Sequence, residues 1–101
     1  MQQSIKQYKI ELQLKARQDL ADIVAYLGTF SPKTALEHYD KLIDEIATLS
    51  ELPLRCPPAK NDEYAKKGWH YLVVIYYLVF FSVEDDTVKI QHIVDGRTNY
   101  K

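Results

Sequence analysis

The repeat of hydrophobic residues changes period between Leu14 and Ala16, and this change limits the possible folds more than any other feature of the chain. Before it, Tyr8, Ile10, Leu12 and Leu14 alternate with Lys9, Glu11, Gln13 and Lys15. Period two describes a strand with one buried face. After it, Ala16, Leu20, Ile23, Val24 and Leu27 recur at helical spacing, with Arg17, Gln18, Asp19 and Asp22 on the other side. A helix is predicted over about 15–27, ended by Gly28 in the left-handed conformation that stops helices. Ser31-Pro32 starts a second helix, because serine accepts an unpaired backbone N–H and proline tolerates the first helical position. Its stripe is Ala35, Tyr39, Leu42, Ile46 and Leu49, broadened by Leu36 and Ile43 and read as core, and Pro53 stops it near Leu52. The short connection folds the two helices into an antiparallel hairpin.

Residues 53–68 hold three of the four prolines and a polar stretch, Lys60-Asn61-Asp62-Glu63, which reads as a surface loop with a short edge strand. From Trp69 to Val83 the chain is rich in β-branched and aromatic residues and too long for one strand. Two strands are expected, with their turn near Ile75-Tyr76, although neither residue is a turn former. Asp85-Asp86 marks a clearer turn. Val88, Ile90, His92 and Val94 then alternate with Lys89, Gln91 and Ile93 up to Gly96. The fold class is therefore α+β: an N-terminal strand, an α-helical hairpin and a three-stranded antiparallel meander in the order β-α-α-β-β-β, with the first strand completing the sheet. One domain over residues 1–101 is expected at this length.

Composition excludes several functions. Thirteen basic and fourteen acidic residues give a net charge of −1, without the basic excess of a non-specific nucleic-acid binder. The single Cys56 excludes an intramolecular disulfide and a CxxC metal or redox site. Met1-Gln2-Gln3-Ser4 lacks the apolar region of a secretory leader, and the longest apolar run, Tyr71 to Phe81, is eleven residues, too short to cross a membrane as a helix. A cytoplasmic protein without metal or cofactor is expected.

The order and spacing of these pieces resemble the RelE/ParE toxin superfamily, which includes plasmid stabilisation proteins. The resemblance rests on Tyr8-Lys9-Ile10-Glu11-Leu12, on Ala16, Asp19-Leu20, Ile23 and Tyr26-Leu27, and on Ser31-Pro32 with Ala35. It continues through Ile46, Leu49 and Leu52-Pro53, Tyr77-Leu78-Val79-Phe80-Phe81, and Val88-Lys89-Ile90 with Ile93-Val94-Asp95-Gly96-Arg97. It implies the toxin of a type II toxin–antitoxin system, held inactive by a cognate antitoxin. The target implied is either DNA gyrase, as for ParE-type toxins, or the ribosome and its mRNA, as for RelE-type endonucleases. A member retaining only partner binding is a third possibility.

The ribonuclease branch carries basic residues on its central strands and after the last one. This chain has His70 and Leu78 at two such positions, and Arg97 matches a third. Metal-independent RNA cleavage needs a base, an acid and cations for the phosphorane. Arg97 is the candidate cation, because its planar fork suits phosphate. His70 and His92 are candidates for acid and base, and Tyr100 for stacking or proton donation. Lys60, Lys66 and Lys67 are candidates for holding the phosphate backbone, and Asp62 and Glu63 in the same loop are candidates for a general base. His92 falls in the apolar phase of its strand, so a partly buried, hydrogen-bonded histidine is the competing reading. His38 reads as surface. Tyr26 and the outer side of the first helix are the expected antitoxin contacts, and the face of the aromatic strands turned away from the helices is expected to need a partner's cover.

Overall fold

A computed structural model describes residues 6–97, so Tyr100 lies outside the described residues. Strand β1 (Lys9–Leu12) leads into helix α1 (Leu14–Gly28), followed by α2 (Pro32–Ala47). A short helix α3 (Asp62–Lys66) precedes strands β2 (His70–Val74), β3 (Tyr77–Glu84) and β4 (Thr87–Asp95). The expected α+β order holds. The sheet order is β1-β4-β3-β2, with antiparallel β2–β3 and β3–β4 pairs and β1 parallel to β4. A parallel pair needs a long crossover, which the helical hairpin begins.

One face of the sheet carries Val74, Tyr77, Val79, Phe81, Val88, Ile90 and Ile93 against Ala16 and Leu20 of α1, Leu42 and Ile46 of α2, and Leu49. Ser31 starts α2 as expected, its hydroxyl accepting the Thr34 N–H at 3.1 Å with Pro32 next in the chain. Three local expectations are corrected. Gly28 completes α1 in right-handed geometry, and the last carbonyls are satisfied instead by Thr29, whose N–H and hydroxyl reach the Tyr26 carbonyl, and by the N–H groups of Phe30 and Ser31 on Leu27. Helix α2 ends at Ala47 rather than near Leu52 and tightens into a 3₁₀ turn over Thr48–Ser50. Leu52, disfavoured from the right-handed region by the following proline, takes φ 53°. Leu36 and Tyr39, read as core, are 61% and 40% exposed, because α2 buries only the narrower Ala35, Leu42, Ile46 line.

The other sheet face is covered partly by the chain itself, where a partner's cover was expected. Residues 53–68, read as a loop with an edge strand, contain α3, which Asn61 caps by accepting the Tyr64 N–H at 3.2 Å. Tyr64 then packs edge-on against Phe80 at 4.9 Å and tilted against Trp69 at 4.6 Å, leaving Phe80 buried. The edge strand is reduced to one bridge, Pro58 to His70. No helix among the described residues is long and apolar enough to cross a membrane.

Candidate functional site

The middle of β4 is where the sheet changes partner. β1 stops at Leu12 opposite Ile90, and Gln91 forms a bulge, since Phe81 pairs with Ile90 while Phe80 pairs with His92. Beyond that point an N–H on the open edge of β4 needs an acceptor, and Asp19 of α1 provides one. Its Oδ2 accepts the Ile93 N–H at 2.9 Å and the His92 Nδ1–H at 2.6 Å, while Lys15 Nζ lies 2.9 Å from Oδ1. A carboxylate only accepts, so the proton of neutral His92 sits on Nδ1.

Asp19 is 7% exposed. Burial pushes its carboxyl up, but the Ile93 N–H, Lys15 and His92 outweigh burial and hold it below the usual carboxylate range. The competing reading of His92, partly buried and hydrogen-bonded, describes what the structure shows. Asp19 was assigned to the solvent side of the helix, and that assignment is corrected. A signal was present, since Asp19 follows Ala16 by three residues and precedes Ile23 by four, inside the apolar stripe.

The two candidate histidines face apart. Residues opposite one another on paired strands share a face, and consecutive residues on one strand do not. His70 pairs with Phe81 and stacks on it at 5.9 Å; His92 pairs with Phe80 and stacks on it at 6.4 Å. His70 therefore lies on the helix side, its Nδ1–H donating to the Cys56 carbonyl at 3.0 Å. His92 lies on the side covered by α3, with Tyr64 6.3 Å away.

The three lysines lie in and around α3. Lys60 is exposed ahead of α3 and Lys66 ends it. Lys67 lies over the Trp69 ring at 5.1 Å and 3.9 Å from Glu63. Asp62 and Glu63 form the exposed first turn of α3.

Arg97 sits at the far end of the sheet. Its Nε donates to Asp95 Oδ1 at 3.1 Å, a terminal nitrogen donates to Oδ2 at 2.8 Å, and its guanidinium stacks 3.6 Å from the Tyr76 ring centroid. Asp95 pairs with Tyr77, four residues along β3 from the Phe81 partner of His70, a span of about 13 Å along the strand. The structure thus places His92 beside Tyr64 of α3, and His70 and Arg97 elsewhere. The Arg97 hydrogen bonds hold the Asp95 carboxyl below its ordinary range, over a smaller opposing effect of burial.

Two residues missed in the sequence position Arg97. Tyr76 supplies the ring. Gly96 brings β4 to the Ile75-Tyr76 turn, its N–H donating to the Tyr76 carbonyl at 2.7 Å; a Cβ there would stand 2.9 Å from that oxygen. His38, read as surface, is half-buried, its Nδ1 sharing a 2.9 Å hydrogen bond with the Tyr77 hydroxyl. Burial pushes the Tyr77 phenol well up, so it remains a neutral partner. Among the described residues no cluster of three His, Cys, Asp or Glu side chains is placed to hold a metal ion.

The outer face of the hairpin is the second candidate surface. Two adjoining apolar hollows run along it, one of about 430 Å³ lined by Leu12, Leu20, Val24 and Tyr39, the other of about 460 Å³ lined by Val24, Ala35, Leu36 and Tyr39. Tyr26 and Phe30, in edge contact at 5.2 Å and 63% and 73% exposed, line neither hollow. The sequence had placed partner contacts at Tyr26 and the outer side of α1.

A strand, a helical hairpin and a meander with β1 parallel to β4 define the class of small toxin folds shared by ParE and RelE. The chain matches a chain of the chromosomal ParDE toxin–antitoxin system of P. aeruginosa with a TM-score of 0.74 and 18% identity, over 89% of this chain and 97% of that one. It matches a chain of the RelBE2 toxin–antitoxin complex of Mycobacterium tuberculosis with a TM-score of 0.62 and 20% identity, over 93% and 97%. No curated protein sequence matches it. The profile of the ParE toxin of the type II toxin–antitoxin system parDE matches residues 10–100, and the chain belongs to that family.

Proposed function

We propose that this protein is a ParE-type toxin that inhibits DNA gyrase by binding it and is neutralised by a cognate antitoxin seated on the outer face of the hairpin. The observation that carries the reading is the dispersal of the groups an RNA-cleaving site would need. His70 and His92 face opposite sides of one sheet, and Arg97 is engaged with Asp95 and Tyr76. Acid, base and cation must converge on one phosphate for in-line cleavage, whereas a gyrase inhibitor needs only a surface. The membership in the ParE family supports the same target. The cytoplasm, where gyrase works, is the compartment this reading requires.

The test is purified protein in two parallel assays. DNA supercoiling by gyrase is expected to fall in proportion to added protein, with cleaved DNA accumulating, while cell-free translation continues on intact transcripts. Cut transcripts with gyrase unaffected would replace this reading by the RelE type, with His92, Lys66 and Lys67 as the first residues to substitute. Activity in neither assay would leave a module that only binds partners.

A further inference from the structure

Where the end of α1 meets the Ile75-Tyr76 turn, a separate small groove of about 200 Å³ opens between Asp22, Tyr26, Leu27, Tyr76, Asp95 and Arg97. Its charge is unbalanced. Arg97 answers Asp95, but Asp22 is exposed and, apart from the through-space pull of Lys15, which is itself paired with Asp19, has neither an ion pair nor a hydrogen bond among the described residues. The last turn of α1 carries no basic residue to offset it, and a helix C-terminus itself favours a cation. Asp22 and Tyr26 stand four residues apart on one helix face, so a carboxylate and an aromatic ring border the same opening.

We infer that this groove binds an arginine side chain of a partner polypeptide, its guanidinium on the Tyr26 ring and paired with Asp22. Arginine fits better than lysine because its planar fork can lie on an aromatic face and present two N–H groups to a carboxylate at once. The far wall of the groove already holds this arrangement within the chain, with Arg97 on Tyr76 and Asp95. A guest would repeat it with Tyr26 and Asp22. The neighbouring Phe30 ring offers an apolar seat, so the segment recognised is an arginine flanked by an apolar residue. The identity of that partner as an antitoxin rests on the toxin reading above; the arginine specificity does not.

The experiment is a titration of ¹⁵N-labelled protein with the blocked tripeptide acetyl-Leu-Arg-Ala-amide, and with its citrulline counterpart, which keeps the shape and lacks the charge. Saturating shifts are expected at the amides of Asp22, Tyr26, Leu27 and Tyr76, with about tenfold weaker binding of the citrulline peptide. Asp22→Asn and Tyr26→Ala are each expected to weaken the arginine peptide by a similar factor. Both positions are exposed, so the spectrum away from the groove should not move. The absence of saturating shifts, equal binding of the citrulline peptide, or an Asp22→Asn variant that binds normally would each overturn the inference. None of these results bears on gyrase inhibition, which is read separately in the supercoiling assay.

Discussion

Asp19 does for β4 what a fifth strand would do. One buried carboxylate accepts the Ile93 N–H, holds the His92 imidazole and meets Lys15, tying α1 to the sheet where β1 has ended. Asp19→Asn removes the charge from three donors at once and should lower stability by about 1–3 kcal/mol in urea unfolding at pH 7. A pH dependence follows from the same contacts. The folded carboxyl is more acidic than in the unfolded chain. As the pH falls, the unfolded chain therefore takes up the proton first. The stabilisation is complete above the unfolded value of about 4 and is lost as the pH falls through the folded value. Wild type should lose stability over that acid limb more steeply than Asp19→Asn, and equal slopes would place the effect elsewhere. At Gly96 the constraint is steric. A methyl group would press on the Tyr76 carbonyl, which is backbone and cannot swing aside. Gly96→Ala should cost about 1–3 kcal/mol and release Arg97 from Tyr76, seen as changed Tyr76 ring shifts in NMR spectra and a lower thermal midpoint.

Among the elements, the β2–β3 hairpin conflicts most with local preference. Its two-residue turn sets Ile75 at φ 58°, a conformation costly for a β-branched residue. This explains why no turn signal is visible near Ile75-Tyr76. The turn closes the Val74–Tyr77 pair and is imposed by the Tyr77–Asp95 pair and the Gly96 N–H on Tyr76, long-range contacts that are not written in the local sequence. Ile75→Asn, which tolerates left-handed backbone, should stabilise the protein by about 1 kcal/mol; a loss of stability would show that the half-exposed Ile75 side chain contributes more by packing than its backbone costs. Elements that obey their own period were legible. The change from period two to 3.6 located β1 and α1, and Ser31-Pro32 located the start of α2. The short helix α3 was not, because five residues carry no period, although Asn61 followed by Asp62-Glu63 is a start signal in hindsight. For the site, residue types and rough positions were legible. The faces were not, because the Gln91 bulge and the strand register decide which side His92 and His70 take.

For the molecule as a whole, the two sides of the sheet are protected unequally. The side away from the hairpin is covered in part by the chain's own Tyr64 and Trp69, with Val73 still 56% exposed. The hairpin's outer face is left with Leu36 at 61% and Tyr39 at 40% exposed in the two adjoining apolar hollows. A contiguous apolar surface of this kind on a chain of net charge −1 has little charge repulsion to keep copies apart. The free protein should therefore self-associate, its mass by light scattering rising with concentration, while co-expression with its antitoxin should give a particle of fixed mass. Leu36→Glu together with Tyr39→Glu places charges at exposed positions in the second hollow, where the core is not touched. That variant should stay monomeric with an unchanged circular dichroism spectrum, and its antitoxin complex should weaken by about tenfold or more, since two buried charges would lack partners. A monomeric wild type would refute the self-association, and a double variant that keeps full antitoxin affinity would mean that the antitoxin sits elsewhere. The apolar hairpin face would then remain as a candidate surface for gyrase.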